Sequence, residues 1–205
     1  MTGKGSLNHN SRKFHAKNTD PNRTHWNVEY CNEDIKDVYH ELFDEALKRY
    51  NDKQTRKDRK IDDYYEKIRS GKQEKLFHEV ILQIGDKDNM GSETMEGQLA
   101  AKILDEYMKG FQERNPTLRV FAAHLHLDEA TPHLHIDFIP YVTGSKRGLD
   151  TRVSLKQALS SLGFKGGSRS ETELNQWVQS EKEKLAMVMR ENEIEWEQKG
   201  THEPH

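Results

Sequence analysis

The chain has 205 residues, 33% hydrophobic and 33% charged, with a net charge of −3. That length builds one medium domain, or a domain with an extension. No run of roughly 18 apolar residues offers a membrane span, the N-terminus has no signal-type apolar stretch, and the lone Cys31 excludes an intramolecular disulfide or a cysteine-based zinc site, all of which fits a reducing cytosol.

Residues 1–25 are polar and turn-rich and read as an extended arm. Residues 24–30 (THWNVEY) carry the aromatic and β-branched content of a strand. Asn32 is placed to cap a helix with Glu33 and Asp34 in its first turn and Ile35, Val38, Leu42, Ala46 and Leu47 on one face. A second helix is predicted over 57–69, with Ile61, Tyr64, Tyr65 and Ile68 inward and Gly71 as its stop. Residues 76–84 alternate as a strand, with Val80, Leu82 and Ile84 on one face and Glu79, Ile81 and Gln83 on the other. After a polar loop over 85–91, an amphipathic helix is expected over 93–112 on Met95, Leu99, Ile103, Tyr107 and Phe111, ended by Asn115-Pro116. Residues 118–127 and 133–141 read as a β-hairpin, followed by a basic loop over 144–148 (GSKRG) and a helix over 154–162. Gly163 to Arg169 then marks a boundary between a domain over 1–165 and a charged helical extension over 166–205. In that extension Trp177, Leu185, Val188 and Met189 form too weak a face to stand without a partner.

Charge divides the same way. From 170 to 205 there are nine Glu against Lys182, Lys184, Arg190 and Lys199, which leaves the preceding part net positive. Within that part, KQTRKDRK opens a basic run over 53–75, either a solvated helix face or a surface for phosphates.

The hairpin carries the chemistry. Its sequence from His124 to Asp137 is HLHLDEATPHLHID. Side chains alternate along a strand, so Val120, Ala122, His124 and His126 share one face and Phe121, Leu125 and Leu127 the other. In the return strand His133, His135 and Asp137 lie opposite Leu134, Ile136 and Phe138. Paired near the turn, the imidazoles start about 5 Å apart, close enough to share one ion. Three neutral imidazoles leave a divalent cation its full charge and open positions, suited to a phosphate oxygen in an in-line displacement. A purely structural zinc site is the alternative. Imidazole permits manganese, zinc, cobalt or nickel, whereas magnesium prefers oxygen. Glu129, at the tip, completes the shell, acts through water or orients a ligand, and Asp137 is placed to support from behind.

The segment HLDEATPHLHIDFIP closely resembles the HxDExxPHxH signature of the plasmid recombination and mobilisation (Pre/Mob, MobV-type) relaxases. His9-Asn10-Ser11-Arg12, followed by Asn18, Asp20, Pro21, Arg23, His25 and Asn27, is similar to that family's first motif. The resemblance covers residues 5–162. It implies an α+β fold of the HUH-endonuclease type, a central antiparallel sheet with helices on one face and the metal on the other. It implies a metal-dependent enzyme that nicks one strand at a plasmid transfer origin and stays attached to the 5′ phosphate. Residue by residue, His126, His133 and His135 become the metal ligands, manganese first among candidate ions with magnesium, zinc, cobalt and nickel behind it. His9 takes the position of the nucleophile, Arg12 contacts phosphate or assists the transition state, and Glu129 sits adjacent. Glu79 resembles an acidic position that orients or deprotonates His9. The implied partners are plasmid DNA, single-stranded or hairpin, a coupling protein of a conjugation system, and a second copy joined through the longer C-terminal region typical of the family. The implied location is the bacterial cytoplasm.

A neutral imidazole is the form in which His9 attacks phosphorus, and its ordinary pKa of about 6.5 already supplies that near pH 7. The product is a phosphoramidate, reversible enough for later strand joining. Tyrosine is the rival nucleophile. Tyr30 is the candidate nearest the first motif, but some family members carry tyrosine where this chain has Val28, which favours histidine. Candidate DNA contacts are Arg12, Lys13, Arg23, Arg56, Lys57, Arg59, Lys60, Lys146 and Arg147. Trp26 either stacks on a base or joins the core, and His25 and Asn27 either shape the site or read a DNA hairpin. His124 is an extra histidine that either becomes a fourth ligand or competes with His126. The few residues before His9 leave little room for a first edge strand. Two other functions fit part of the pattern: a rolling-circle replication initiator with a tyrosine nucleophile, and a non-catalytic, metal-stabilised DNA-binding module.

Overall fold

The computed structural model describes residues 2–3, 6–14, 16–86, 88 and 90–194. The hairpin organises the sheet. β4 (Leu118–His126) and β5 (His133–Val142) pair antiparallel, setting His126 opposite His133 and His124 opposite His135. β3 (His78–Gln83) pairs along β5, and β2 (Val28–Asn32) along β4. β1 (Thr2–Gly3) pairs with β3 at Val80 and Glu79, so the order is β1-β3-β5-β4-β2, with β6 (Arg152–Val153) on the far end of β5. β1 provides the edge that the short stretch before His9 had left in doubt.

One face of the sheet is covered by α4 (Met95–Lys109), α5 (Phe111–Arg114), α6 (Leu155–Ser161) and α7 (Glu173–Glu191). Their apolar residues meet Val80, Val120, Ala123, Leu125, Leu134, Ile136 and Phe138 in one core. The opposite face is divided. Its hairpin end is polar and holds the histidines. Its far end packs Phe121, Ala122 and Ile139 against α2 (Ile35–Asp52) and α3 (Tyr64–Ser70) through Val38, Tyr39, Phe43, Ala46 and Tyr64. The antiparallel sheet with helices is the expected one; the second helical pair, sharing the histidine face, is an addition to it.

A β-bulge permits this division. The register slips between Val120 and Ala122, so Phe121 is an extra residue and the side-chain alternation inverts there. Val120 therefore joins Ala123 and Leu125 rather than the histidines, and Phe121 faces α2 and α3, contrary to strict alternation.

Local starts and stops also differ from the sequence expectation. Asp34, not Asn32, caps α2, its carboxylate accepting from the amides of Lys36 and Asp37. The stripe of α2 is centred on Tyr39 and Phe43, with Ile35, Leu42 and Leu47 at its flanks. Residues 24–26 form a 3-10 turn before β2, and 57–59 form another, so α3 begins only at Tyr64 behind the Asp63 cap. Met95 is 83% exposed because it precedes the part of α4 that meets the core.

α7 has its partner within the chain. It packs against α4 and α6 and buries Trp177, Glu181, Leu185 and Met189, positions spaced four apart. Because one of those four positions is a glutamate, the face reads as weak in the sequence. Glu181 accepts from Arg114 at 2.9 Å, from Asn115 at 3.1 Å and from the Tyr107 hydroxyl, while the Trp177 indole donates to Asn115 at 2.8 Å. Trp177→Ala is expected to cost about 3–5 kcal/mol, as for a fully buried aromatic, read as a fall in the urea midpoint. A change below about 0.5 kcal/mol, typical of surface sites, would show α7 to be a loose appendage.

Candidate metal centre and active site

The ring atoms of His126, His133 and His135 available for coordination all lie within 4.8 Å of one another. Each ring is held by a hydrogen bond through its other nitrogen. His126 Nε2 lies 2.8 Å from the Asn10 carbonyl, His133 Nδ1 lies 2.9 Å from the Thr131 carbonyl, and His135 Nδ1 lies 2.9 Å from Glu79 Oε1. All three partners are acceptors, so an N–H on their side leaves the other nitrogen its lone pair; for His133 that other nitrogen, Nε2, also lies 3.4 Å from Glu129 Oε2. Those lone pairs are His126 Nδ1, His133 Nε2 and His135 Nε2.

Among the described residues, His126 Nδ1 and His135 Nε2 are buried with no hydrogen-bond partner, as are His124 Nδ1, Asn27 Nδ2 and Asp137 Oδ1. Buried polar atoms are rarely left so, and a divalent cation satisfies those of His126 and His135. Burial pushes His126 down to about 3, which keeps its ring neutral, the form that ligates. The three residues therefore fit a metal ion. His124 stands outside this set: its Nε2 meets Glu29 at 3.2 Å on the neighbouring strand.

Asn10 ties the first motif to this centre. It ends the four-residue α1 (Leu7–Asn10) and is buried. Its amide donates to Glu79 at 2.6 Å and to Asp137 at 3.2 Å, while its carbonyl holds His126. Burial opposes ionisation of Glu79, but the bonds from His135 and Asn10 outweigh it and hold the carboxyl below its ordinary value. Asp137 is pushed up to about 7 by burial and by the neighbouring Glu79 charge. The expected contact between Glu79 and His9 is corrected here: Glu79 is spent on His135 and Asn10.

Glu129 is the carboxylate beside His9. His9 Nε2 lies 3.5 Å from Glu129 Oε1 and 3.3 Å from Arg12 Nη1, and its ring centroid is 6.2 Å from that of His126. Arg12 grips Asp128 through Nε at 2.9 Å and Nη2 at 2.5 Å, and shares Nη2 with Glu129 at 2.8 Å. Its backbone is left-handed, at φ 52°, a strained state that such a clamp holds in place. Asp128, fully buried, resists burial through bonds from Arg12 and Thr24 that help bring it to about 2. Glu129 also reaches about 2, its burial outweighed by His133 and Arg12, and its second oxygen accepts from Asn18 at 2.7 Å. Burial, and then the Arg12 charge, lower His9, so its imidazole is neutral at pH 7.

The remaining sequence candidates divide. Arg12 is held by Asp128 and Glu129 beside His9, with its side chain 8% exposed. Arg23 pairs with Asp20 at 3.2 Å and is partly buried. Lys13 is exposed. Arg56, Lys57, Arg59 and Lys60 lie exposed beyond the C-terminal end of α2, with Arg56 paired to Asp58 at 2.6 Å. Lys146 and Arg147 lie on the loop after β5, about 20 Å along the strand from the histidines. Arg49 on α2 joins that loop through Asp150 at 2.8 Å, so both basic groups sit at the far end of the sheet. Asn27, left open in the sequence, accepts from the amides of Leu127 and Asp128 and pins the hairpin tip.

A sequence profile of the plasmid recombination enzymes (Mob_Pre) matches residues 5–188. The chain belongs to this family. The match begins after β1 and runs from α1 through most of α7. Two crystal structures of the MobM relaxase domain (MOBV; Mob_Pre), Mn-bound and in complex with plasmid pMV158 oriT DNA of 22 nucleotides, at pH 5.5 and pH 4.6, share the fold. Their TM-scores are 0.53 and 0.52 at 23% and 22% identity, covering 97% of this chain and 85% and 86% of theirs. No curated protein sequence matches. No helix among the described residues is long and apolar enough to cross a membrane.

Proposed function

We propose that this member of the plasmid recombination family is a relaxase. It nicks one strand at a transfer origin and holds the new 5′ phosphate on His9. The observation that carries this reading is the placement of a neutral His9 beside Glu129 and Arg12, next to three histidines whose ligand atoms lie within 4.8 Å of one another. In the reaction the N–P bond forms as the bond from phosphorus to the 3′ oxygen breaks, and the 3′ oxygen leaves as an alkoxide that takes its proton from solvent water.

Glu129, held near 2 by His133 and Arg12, is a poor proton acceptor. Its contribution is a fixed negative charge that orients the ring and balances the cation His9 becomes when it bonds to phosphorus. Arg12 fixes the distance between the two. His126, His133 and His135 would hold the cation, manganese by analogy with the MobM structures. When bound it supplies charge to a phosphate oxygen and so lowers the repulsion His9 must overcome. Lys13 and Arg23 flank the reacting strand, and Arg56, Lys57, Arg59, Lys60, Lys146 and Arg147 grip DNA farther away. A conjugative coupling protein, a second copy joined through a C-terminal continuation and a bacterial cytoplasmic setting complete this reading.

Incubating the protein with Mn²⁺ and supercoiled plasmid bearing its cognate origin should yield nicked circles with protein on the 5′ end. DNA affinity without nicks in any divalent metal would instead support a non-catalytic binding module.

A further inference from the structure

The polar surface of this chain carries few large apolar side chains. Among the described residues the exposed ones are Phe14 (50%), Trp26 (41%), Val28 (38%), Met95 and Met187. The first three lie on the two segments that border the His9 corner. The Phe14 ring is 5.9 Å from the His9 ring. Trp26 packs edge-on against the exposed His25 at 5.8 Å, which leaves indole surface open. Val28 pairs with Leu125, one residue before the ligand His126.

Both aromatic segments are anchored to one buried group. Arg12, two residues before Phe14, clamps Asp128. Thr24 donates to the same carboxylate at 3.2 Å, and Asn27 accepts from the Asp128 amide at 3.1 Å, which brackets Trp26 on both sides. Exposed aromatics are normally single and incidental, but these two are held at fixed places by the element that positions His9. Lys13 and Lys17 are exposed on the same segment as Phe14. Open ring faces on a segment that also carries exposed cations match one ligand chemistry: unpaired bases on a phosphate backbone.

We infer that Phe14 and Trp26 form a base-stacking platform that takes the unpaired nucleotides next to the cleaved phosphate. This deepens the proposed function, since it rests on single-stranded DNA being the substrate. Stacking splays the strand and fixes its phosphate against His9. It is indifferent to base identity, because every base offers a ring face. Duplex DNA, whose bases are already stacked, gains nothing from it.

The test is binding without cleavage. In EDTA, a fluorescein-labelled mixed-sequence single strand and the same sequence as duplex are titrated by anisotropy. Phe14→Ala and Trp26→Ala are each expected to weaken single-strand binding by about 5- to 150-fold, the range for losing one stacked base. Duplex binding and thermal midpoint should stay at wild-type values, and Trp26→Phe and Phe14→Trp should restore single-strand affinity to within about threefold of wild type. Unchanged single-strand affinity in both alanine variants overturns the platform, as does an equal loss on duplex. Because no step in this assay needs nicking, a protein that binds as described yet never cuts would sink the relaxase reading and leave the platform standing.

Discussion

His9→Ala is expected to abolish the covalent protein–DNA adduct, with strand cleavage falling on the order of a thousandfold or more, as when a covalent nucleophile is deleted. Metal binding should be unaffected. The three ligand rings are pinned by the Asn10 carbonyl, the Thr131 carbonyl and Glu79, and none of these bonds involves the His9 side chain. The wild-type adduct should hydrolyse in mild acid, as a phosphoramidate does and a tyrosyl phosphodiester does not. Peptide mapping of the adduct should return the peptide that contains His9. An adduct of undiminished yield in the variant, or an acid-stable one in the wild type, transfers the role to another residue.

The structure gives tyrosine little opening. The chain has seven tyrosines, and each either belongs to one of the two cores or packs against one. Tyr30 is turned to the helical face, where its hydroxyl donates to Asp105 at 2.8 Å, and burial raises its pKa. Tyr39, Tyr64 and Tyr107 are likewise buried and raised. A phenol used as a nucleophile needs access to phosphorus and a route to its anion. These have neither, which also disfavours a rolling-circle initiator of the tyrosine type.

The metal trio was legible because β-strand alternation is a local rule and the hairpin turn is short. HLH before the turn and HLH after it can only place their histidines on one face. The strand at 76–84 and the helix over 93–112 followed from the same periodicity, whereas their pairing and packing did not. Phe121 shows where that reasoning stops. A bulge depends on pairing between strands, so nothing in the VFAAH run announces the inversion that sends Phe121 to α2 and α3. Glu181 is a second case: the burial of a charged side chain is decided by Arg114 and Asn115 more than 60 residues away, so α7 reads as solvated from its own sequence. At the site, Glu129 stands beside His133 as expected and reaches His9 as well, whereas Glu79 lies away from its expected neighbour because Asn10, an uncharged residue in the HNSR segment, claims it. The one sequence signal for that was its position directly after His9.

The metal centre makes its own prediction, independent of catalysis. A ligand that binds only the folded chain at about 100 times its Kd stabilises by about 2.7 kcal/mol. For a domain of this size that raises Tm by about 5–10 °C, so Mn²⁺ should shift the melting curve by that amount and EDTA should reverse it. His135→Ala is expected to remove the shift, since it deletes one of the three clustered ligand atoms. Glu79→Gln should keep the fold but weaken Mn²⁺ by about 10- to 100-fold, the usual cost of losing a carboxylate behind a ligating imidazole, because the His135 N–H then faces a neutral amide. His124→Ala should retain the full shift, because its ring is engaged with Glu29 and stands outside the cluster. The ordering of these three variants separates the histidine centre from a cation held by the surrounding carboxylates. In that second case Glu79→Gln would be the most damaging and His135→Ala nearly silent. The orphaned nitrogens of His126 and His135, buried with nothing else to bind, are the physical reason to expect the first ordering.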